Sequence, residues 1–503
     1  MSDAALRLNH LLFSWKMQTN LKWICNISFM RKFLFATLSI AIIGASFPLP
    51  AVAAVKAGSP CPKIGKTSAS SGKTFTCVKV GKNKVWNKGS VFSKKANQQK
   101  PNKPAPSSTT NDVQTIVYSQ PSQPSSNIDS CKVQEKSTTR GLYDNSLPTG
   151  FPTSKYSFAT KTGTVKWALV PIDFSDIPGE SNFRSRVDGQ MKLLSEWFDT
   201  VSEGKFKVEW VVADKWTTLP GKSTDYTIPF SDGPDRSPAI ADFWTKAIRE
   251  TDKNFDYSNV QTVNFILPLK QTVVAETLQG FPWEQAVKNY VTQEGKISSF
   301  SIAGVFMNQL NRQYWSYWAH EFGHAMGIPH VGSSRIANPY LSLDLMGAQD
   351  GYTRELSGWL RFLAGWLDEE KIYCQELSKL ASTELTLVPL SGTSPGLKMA
   401  VVPVSESKAL IIESRRETKF SCTMPTKKNG VLMYLYDATL GHGENFLIPL
   451  TPSGRTEEAS SDCAVNQYPD PLLHKGEKLT AEGITVEVLE SANYDRIRIQ
   501  KAG

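Results

Sequence analysis

The residues best suited to chemistry lie together in one stretch, which carries the pattern H-E-x-x-H-x-x-G-x-x-H. His320 and His324 are four residues apart, so on a helix they share a face and can direct two imidazoles at one metal ion. Glu321 lies next to the first histidine, where its carboxylate can reach a water molecule beside the metal. Gly327 adopts positive φ without steric penalty, and the turn it permits can bring His330 back as a third ligand. Three neutral nitrogen ligands and an open fourth position are typical of a catalytic zinc site.

The composition of this motif favours a metal site over an ordinary pair of core histidines. The chain has six histidines, and three of them fall within these eleven residues. Two histidines four residues apart, without the rest of the motif, would leave the metal-site and core-histidine interpretations comparable. The glutamate, the glycine and the third histidine together favour the metal site. We therefore predict His320, His324 and His330 as ligands of one catalytic Zn²⁺ ion and Glu321 as the general base.

A short apolar segment downstream adds a family resemblance. Met346 follows His330 by sixteen residues and lies in a predicted turn. Taken alone, this methionine is explained by core packing, since Met commonly fills gaps. Together with the zinc motif, it resembles the Met-containing turn beneath the zinc site of the metzincin metallopeptidases. The resemblance implies a structural packing role for Met346.

Residues from about 160 to 440 resemble, more specifically, the immune inhibitor A-like secreted metallopeptidases. His330 departs from that group, whose members often carry an acidic residue there, and follows the broader metzincin pattern. The resemblance implies a zinc endopeptidase cleft between an upper α/β part and a lower irregular part after His330. The similar segments are residues 172–176, Phe198, Ser202 with Gly204 and Lys205, residues 344–346, and the pairs 358–359 and 365–366.

The elements before the motif alternate between strand and helix patterns. This order predicts an α/β half-domain with the zinc ligands on its last helix. The last strand could offer an edge to which an extended substrate pairs, although an ordinary covered strand explains it equally well. The predicted strands are residues 165–174, 260–267 and 302–307, residues 202–210 are predicted as a turn followed by a strand, and the predicted helices are 186–199 and 237–251.

After about Ser382 the pattern changes to short apolar runs separated by turn residues. They predict a β-sandwich-like C-terminal domain, whose role is either to bind substrate or to brace the catalytic domain. The fold class is then α+β: an α/β-type metzincin catalytic domain followed by an all-β part. His442 and His474 are interpreted as surface or loop residues rather than ligands. The predicted strands are residues 385–390, 399–402, 410–413, 431–436, 446–450, 484–489 and 496–500.

The N-terminal residues read as a secretory leader. Residues 30–53 have the order of a signal peptide, with a charged start, an apolar run and small residues before the expected cleavage site. An uncleaved membrane anchor is the alternative, disfavoured because the apolar run is short and prolines follow it. Residues 1–29 do not fit this design, so we predict an over-extended start and translation from Met30. The predicted localisation is extracellular, with cell-wall association considered below.

A lysine-rich region follows the leader. Residues 56–103 carry twelve lysines, and no Asp or Glu occurs from 55 to 111. One interpretation is attraction to an anionic cell-wall or membrane surface, and a solvated spacer is an equally favoured one. Nucleic acid is disfavoured, because the chain has no nucleic-acid-binding motif. We predict a small basic module with a cysteine pair at 54–93, a disordered linker at 94–128, the catalytic domain at 129–382 and the β domain at 383–503.

Six cysteines remain after the leader is removed, an even number consistent with three disulfides in an exported protein. None of them has the spacing of zinc ligands. Proximity along the chain suggests two pairs and leaves a third to clasp the ends of the middle domain. The predicted pairs are Cys61–Cys77, Cys422–Cys463 and Cys131–Cys374.

The favoured function is a secreted zinc endopeptidase that hydrolyses protein or peptide substrates with a zinc-activated water. A catalytically silent surface-binding protein is an alternative, disfavoured because Glu321 is present, and a zinc hydrolase of cell-wall amide bonds is another. Ala348 follows Met346 by two residues, so no tyrosine ligand is expected from this turn. Tyr352 is a candidate for polarising substrate, although packing is the commoner role. The sequence neither predicts nor excludes a structural Ca²⁺ ion.

Overall fold

The computed structural model describes residues 56, 59–61, 63, 67–70, 73–80, 83–86, 90–91, 127–137, 147–153, 159–228, 236–275, 278–280, 291–308, 312–332, 341–422, 429–458 and 468–503. The predicted over-extended start, the signal peptide and residues 94–126 of the linker lie outside these ranges. The chain divides into two units, residues 1–112 and 113–503. Among the described residues, no helix combines the length and the apolar character needed to cross a membrane.

The first unit contains a small antiparallel sheet within the predicted basic module. Cys77 on this sheet forms the predicted disulfide with Cys61, and their Cα atoms are 5.7 Å apart. Trp86 packs with both cysteines in one small buried cluster. A unit of this size has little apolar core, so the cross-link is an important part of its stability. The strands are β1 (Thr67–Ser70), β2 (Lys73–Val80), β3 (Asn83–Trp86) and β4 (Ser90–Val91).

The second unit begins with a mixed sheet flanked by helices, in the alternating order that the sequence predicts. Its strand order is β6-β5-β8-β10-β9, with β7 also paired to β5. All neighbours are parallel except β9, which runs antiparallel to β10. The strands are β5 (Gly163–Phe174), β6 (Phe206–Val212), β7 (Thr217–Leu219), β8 (Val260–Ile266), β9 (Leu278–Gly280) and β10 (Ser299–Ala303), and the first two helices are α1 (Arg184–Val201) and α2 (Arg236–Thr251).

The central strand β5 is buried on both faces, which explains its nearly continuous apolar sequence. Successive side chains of a strand point to opposite faces. Trp167 and Leu169 therefore pack in the core shared with α1, whereas Ala168 and Val170 pack in the core shared with α2. The sheet is thus a rigid layer between two apolar cores.

The strand predicted at residues 302–307 is covered on both sides. It begins at Ser299, ends at Ala303, and pairs with β8 on one side and β9 on the other. Val305–Asn308 forms a 3-10 turn instead. The structure supports the covered-strand interpretation, and the proposed edge for substrate pairing at this strand is wrong.

The C-terminal part consists of two sheets whose apolar faces meet in one buried cluster, as in a sandwich. One sheet has the order β11-β13-β14-β15-β16 with β19 on β15, and the other has the order β12-β22-β21-β20. All seven strands predicted here are present, and the shorter β11 and β17 to β20 were not predicted. The strands are β11 (Ile372–Cys374), β12 (Thr383–Leu387), β13 (Met399–Pro403), β14 (Lys408–Arg415), β15 (Gly430–Asp437), β16 (Leu447–Pro449), β17 (Glu457–Glu458), β18 (Tyr468–Pro469), β19 (Leu472–Leu473), β20 (Lys478–Ala481), β21 (Ile484–Ser491) and β22 (Asp495–Lys501).

A second disulfide joins the start of the second unit to this C-terminal part. Cys131 pairs with Cys374 on β11 as predicted, with 5.9 Å between the Cα atoms. Cys463 lies outside the described residues, so the predicted Cys422–Cys463 pair stays a prediction.

Candidate metal centre and active site

The first two candidate ligands lie on helix α3 (Tyr314–Ala325), which is buried nearly all round. A helix with apolar residues on every side is stable only inside a protein. Phe322 packs against Trp167 of β5 with ring centres 4.3 Å apart, and Trp315 contacts Trp197 of α1. These contacts fix the rotation of the helix, which places His320 and His324 on one side of it.

The helix ends in the turn that the glycine predicts. Gly327 has φ +86°, a conformation that other residues rarely adopt. Its N–H donates to His324 O and the N–H of Ile328 donates to Gly323 O, both at 2.9 Å. This pair of bonds is the Schellman motif, which closes a helix and reverses the chain direction. The reversal carries His330 back towards the two helical histidines.

The three imidazoles of the motif converge. The ring centres of His320 and His324 are 4.8 Å apart, those of His320 and His330 are 4.9 Å apart, and those of His324 and His330 are 5.7 Å apart. Imidazoles that share one zinc ion at Zn–N distances of about 2.0–2.1 Å have ring centres about 5 Å apart. The spacing therefore fits a single ion.

Each of these rings is oriented by a backbone carbonyl at Nδ1. His320 Nδ1 lies 2.7 Å from Leu345 O, His324 Nδ1 lies 2.9 Å from Ile328 O, and His330 Nδ1 lies 2.7 Å from Gly332 O. A carbonyl only accepts, so Nδ1 carries the proton in every case and Nε2 keeps its lone pair. Second partners of this kind orient and polarise the histidine ligands of metal sites.

The histidines are also held in the neutral form that a metal ligand requires. Burial lowers the pKa of His324 to about 3 and that of His330 to about 4. Burial, reinforced by the neighbouring imidazoles, lowers the pKa of His320 well below its usual value. Protons therefore compete weakly for these rings at neutral pH.

Glu321 lies beside the two helical histidines. Ligand atoms of His320, Glu321 and His324 all lie within 4.8 Å of one another. Glu321 keeps some exposure, but the protein atoms crowded around its carboxyl group raise its pKa to about 8. A small cavity beside it is lined by polar side chains of β8 and β10, among them Asn264 and Ser301. A carboxyl group that takes up and releases its proton near neutral pH suits proton transfer beside the converging imidazoles.

The turn containing Met346 lies against the helix and supports two of the ligands. A Cβ atom added to Gly323 would lie 2.9 Å from Met346 Sδ, so this methionine fills the space beneath α3. Leu345 O binds the imidazole of His320, and Met346 O accepts from the N–H of Val331. The turn therefore contacts the chain on both sides of the Schellman turn.

Buried Asp344 shapes this turn from within. Its carboxylate accepts from the N–H of Met346 and from that of Ser357, each at 2.8 Å. Burial raises the pKa of Asp344, while these two backbone donors oppose the rise. The hydrogen bonds fix the bend and so the position of the carbonyl that orients His320.

A fourth imidazole lies at the site. The sequence interpretation of His442 as a surface or loop residue is correct about the loop and wrong about the surface, because the side chain is buried. His442 belongs to the loop between β15 and β16, is 2% exposed, and has its ring centre 5.3 Å from that of His324 and 6.3 Å from that of His330. Its Nδ1 accepts from the N–H of His330 at 2.9 Å. Burial lowers the pKa of His442 to about 2. Its neighbours in the chain are glycines without any metal-binding pattern, so the sequence carried no signal of this contact.

The hydrogen-bond partners of the remaining candidate residues indicate structural roles. The hydroxyl of buried Tyr352 donates to Glu417 at 2.8 Å, which fits the packing role. His474 lies 3.2 Å from Asp470, whose hydrogen bond raises the pKa of the imidazole. Ala348 donates its N–H to Asp344 O within the turn.

Residues 286–384 match the family model Peptidase M66. The matched stretch contains α3, the three converging histidines and the turn with Met346. The match supports a peptidase function and therefore a protein or peptide substrate. No curated protein matches the chain.

Proposed function

We propose that the protein is a secreted zinc-dependent endopeptidase of the metzincin type, related to the immune inhibitor A-like peptidases. The observation that carries the proposal is the convergence of three neutral imidazoles, each anchored through Nδ1, next to Glu321. The peptidase family matched by this stretch is zinc-dependent, which supports the choice of metal. The proposed ligands are His320, His324 and His330.

The donor set fits a catalytic ion. A bound zinc ion would polarise the scissile carbonyl and lower the pKa of a water molecule to near 7. Glu321 accepts the proton of the attacking water and delivers a proton to the leaving amine. Burial brings the pKa of its carboxyl group to about 8, close to neutral pH, where a group that both takes up and releases a proton is most effective.

The surrounding chain preserves this geometry during the reaction. The carbonyls of Leu345, Ile328 and Gly332 prevent the imidazoles from turning, because each holds one Nδ1–H. Met346 fills the space under the helix and keeps Gly323 at a fixed distance from the turn. Preorganised groups of this kind need no rearrangement when charge develops.

The location of the enzyme is also a proposal. The signal-peptide pattern of residues 30–53 supports secretion, and the lysines of residues 56–103 support attachment to an anionic cell-wall or membrane surface.

The test combines metal analysis with cleavage assays on the purified mature protein. The wild type should contain one zinc per chain and cleave casein, and a chelator should abolish cleavage. Glu321→Ala should keep zinc and lose turnover by about 10²–10⁴-fold, whereas His324→Ala should lose both. His474→Ala is the matched control and should change neither.

The alternatives give different results in the same assay. Zinc binding without cleavage of casein or cell-wall fragments would favour a silent surface-binding protein. Release of amines from cell-wall fragments alone would favour an amide hydrolase. Wild-type protein that binds no zinc would contradict the proposal.

A further inference from the structure

The loop between β15 and β16 binds both polar groups of the His330 main chain. The N–H of His330 donates to His442 Nδ1, and the carbonyl of His330 accepts from the N–H of Gly443, both at 2.9 Å. Backbone groups that are shielded from water need partners of this kind. Since His442 lies 112 residues beyond His330 in the chain, the third candidate ligand is held from outside its own segment.

The same loop holds the residue whose carbonyl orients the imidazole. His330 Nδ1 lies 2.7 Å from Gly332 O, and the N–H of Gly332 donates to Glu444 O at 2.9 Å. The backbone position of His330 and the rotation of its ring therefore both depend on this loop.

The segment that carries His330 needs such support more than the helix does. It is bounded by Gly327 with φ +86° and Gly332 with φ +66°, and glycine leaves the backbone more conformations than other residues do. The backbone of His320 and His324, in contrast, is fixed by the hydrogen bonds of their own helix. External contacts therefore matter most for the third ligand.

Hydrogen bonds within the loop make it a firm support. At its base, the N–H of Asp437 donates to Phe446 O at 2.8 Å. Further out, Glu444 accepts the N–H of Gly441 with its side chain and donates its own N–H to Gly441 O. Gly443 has φ +80°, which allows the sharp bend after the histidine.

We propose that His442 is a positioning residue, whose Nδ1 is the acceptor that fixes the backbone of the third zinc ligand. The inference deepens the proposed function, because it concerns the zinc site on which that function rests. Partners that hold metal ligands in place typically contribute about 10–100-fold to metal affinity or activity.

The same hydrogen bond argues against His442 as a fourth ligand. A backbone N–H can only donate, so Nδ1 of His442 carries no proton, and the neutral ring then has its proton on Nε2. Such a ring offers no lone pair to a metal while this bond holds.

A matched pair of variants isolates the acceptor. Asparagine and leucine side chains have nearly the same shape, but only asparagine carries an acceptor, attached to Cγ as Nδ1 is in histidine. His442→Asn therefore keeps the bond to His330, whereas His442→Leu removes it. His474→Leu, which removes another imidazole of the C-terminal part, is the control.

The experiment uses the full mature chain and measures three quantities. These are zinc affinity by competition with a zinc-binding dye, the visible spectrum of the cobalt-substituted protein, and kcat and KM at saturating zinc. The cobalt spectrum reports the geometry of the ligands and needs no catalysis. A role in stability alone would lower the Tm of His442→Leu and leave the spectrum of the folded protein unchanged.

For His442→Leu we expect zinc affinity and kcat to fall by about 10–100-fold each, with an altered cobalt spectrum. KM should change little, because the lost bond is made to a metal ligand and not to substrate. His442→Asn should restore all of these quantities to within about threefold of wild type, since one acceptor replaces another. The control should match wild type.

The outcomes also separate this proposal from the peptidase function. Wild-type zinc affinity and cobalt spectrum in folded His442→Leu would overturn the positioning role, and so would equal impairment in His442→Asn. His442→Ala replaces the leucine variant in these comparisons if leucine prevents folding. A zinc affinity that depends on the acceptor, in a protein that cleaves no peptide, would leave the positioning role standing and end the peptidase proposal.

Discussion

Two regions of the protein position the candidate metal ligands in different ways. His320 and His324 are placed by one helix, whose spacing and packing against β5 are local to a short segment. His330 follows a glycine turn and is held by the loop around His442, more than a hundred residues away in the chain. The helix provides a rigid pair, and the long-range contacts determine where the third imidazole lies. The site therefore depends on the C-terminal sheets as well as on the motif.

The largest effect is expected from the helical pair. His320→Ala should weaken zinc binding by at least about 100-fold. A zinc ion with four ligands is bound with about 10–16 kcal/mol, so removal of one ligand costs roughly 3 kcal/mol of binding free energy. The far-ultraviolet circular dichroism should not change, because α3 is stabilised by its aromatic contacts. Competition with a zinc-binding dye measures the affinity. Unchanged affinity would show that the metal lies elsewhere.

The next effect concerns the attachment of the C-terminal part. The double substitution Cys131→Ser and Cys374→Ser should lower the free energy of unfolding by about 2–5 kcal/mol, because the disulfide constrains the unfolded chain. Urea denaturation measures this loss. Zinc content under native conditions should stay at one per chain, since neither sulfur contacts the candidate ligands. A protein that folds normally but contains no zinc would contradict this separation.

The turn between the two regions should show a smaller effect. Gly327→Ala places a Cβ atom at φ +86° and should destabilise the protein by about 1–2 kcal/mol. Zinc affinity should also fall, because strain in this turn displaces His330. The comparison is Gly323→Ala, where the new Cβ meets the flexible end of Met346 and the backbone is not strained. Zinc affinity of Gly327→Ala equal to that of wild type would argue against the turn as the determinant of the third ligand.

The last prediction concerns the pH dependence of the metal-free protein. His324 and His330 have pKa values of about 3 and 4 when folded, against 6.5 for an ordinary histidine. The unfolded chain therefore binds protons that the folded chain does not, so stability is full above pH 6.5 and is lost as the pH falls towards 4. The Tm of chelator-treated wild type should fall between pH 7.5 and 5. The fall should be shallower in His324→Asn, and identical slopes would contradict the assignment.

Much of the architecture is predictable because its sequence signals are local. The buried runs of β5 and β8, the amphipathic α1 and the alternating strands of the C-terminal part all give periodic patterns. The short strands β7 and β9 have three residues each, too few for a period. The neighbours of a strand are also invisible in sequence, which explains the mistaken edge at β10.

The residues of the candidate site also fall into two groups, those with local sequence signals and those placed by long-range contacts. Helical spacing and a glycine turn are local signals, so His320, His324 and His330 could be proposed together. Nothing near His442 predicts its contact with His330, because that contact is created by the packing of a distant loop. The role of Leu345 O also depends on a contact between separate segments, since the sequence does not show which carbonyl accepts the hydrogen bond from His320 Nδ1.

X-ray absorption spectroscopy of the zinc-loaded protein tests the central claim most directly. The account predicts three imidazole nitrogens at about 2.0–2.1 Å from the zinc ion and one oxygen donor. The number of imidazoles fitted to the spectrum should fall to two in His330→Ala and stay at three in His442→Asn. A sulfur ligand, or a fourth imidazole that disappears in His442→Asn, would contradict it.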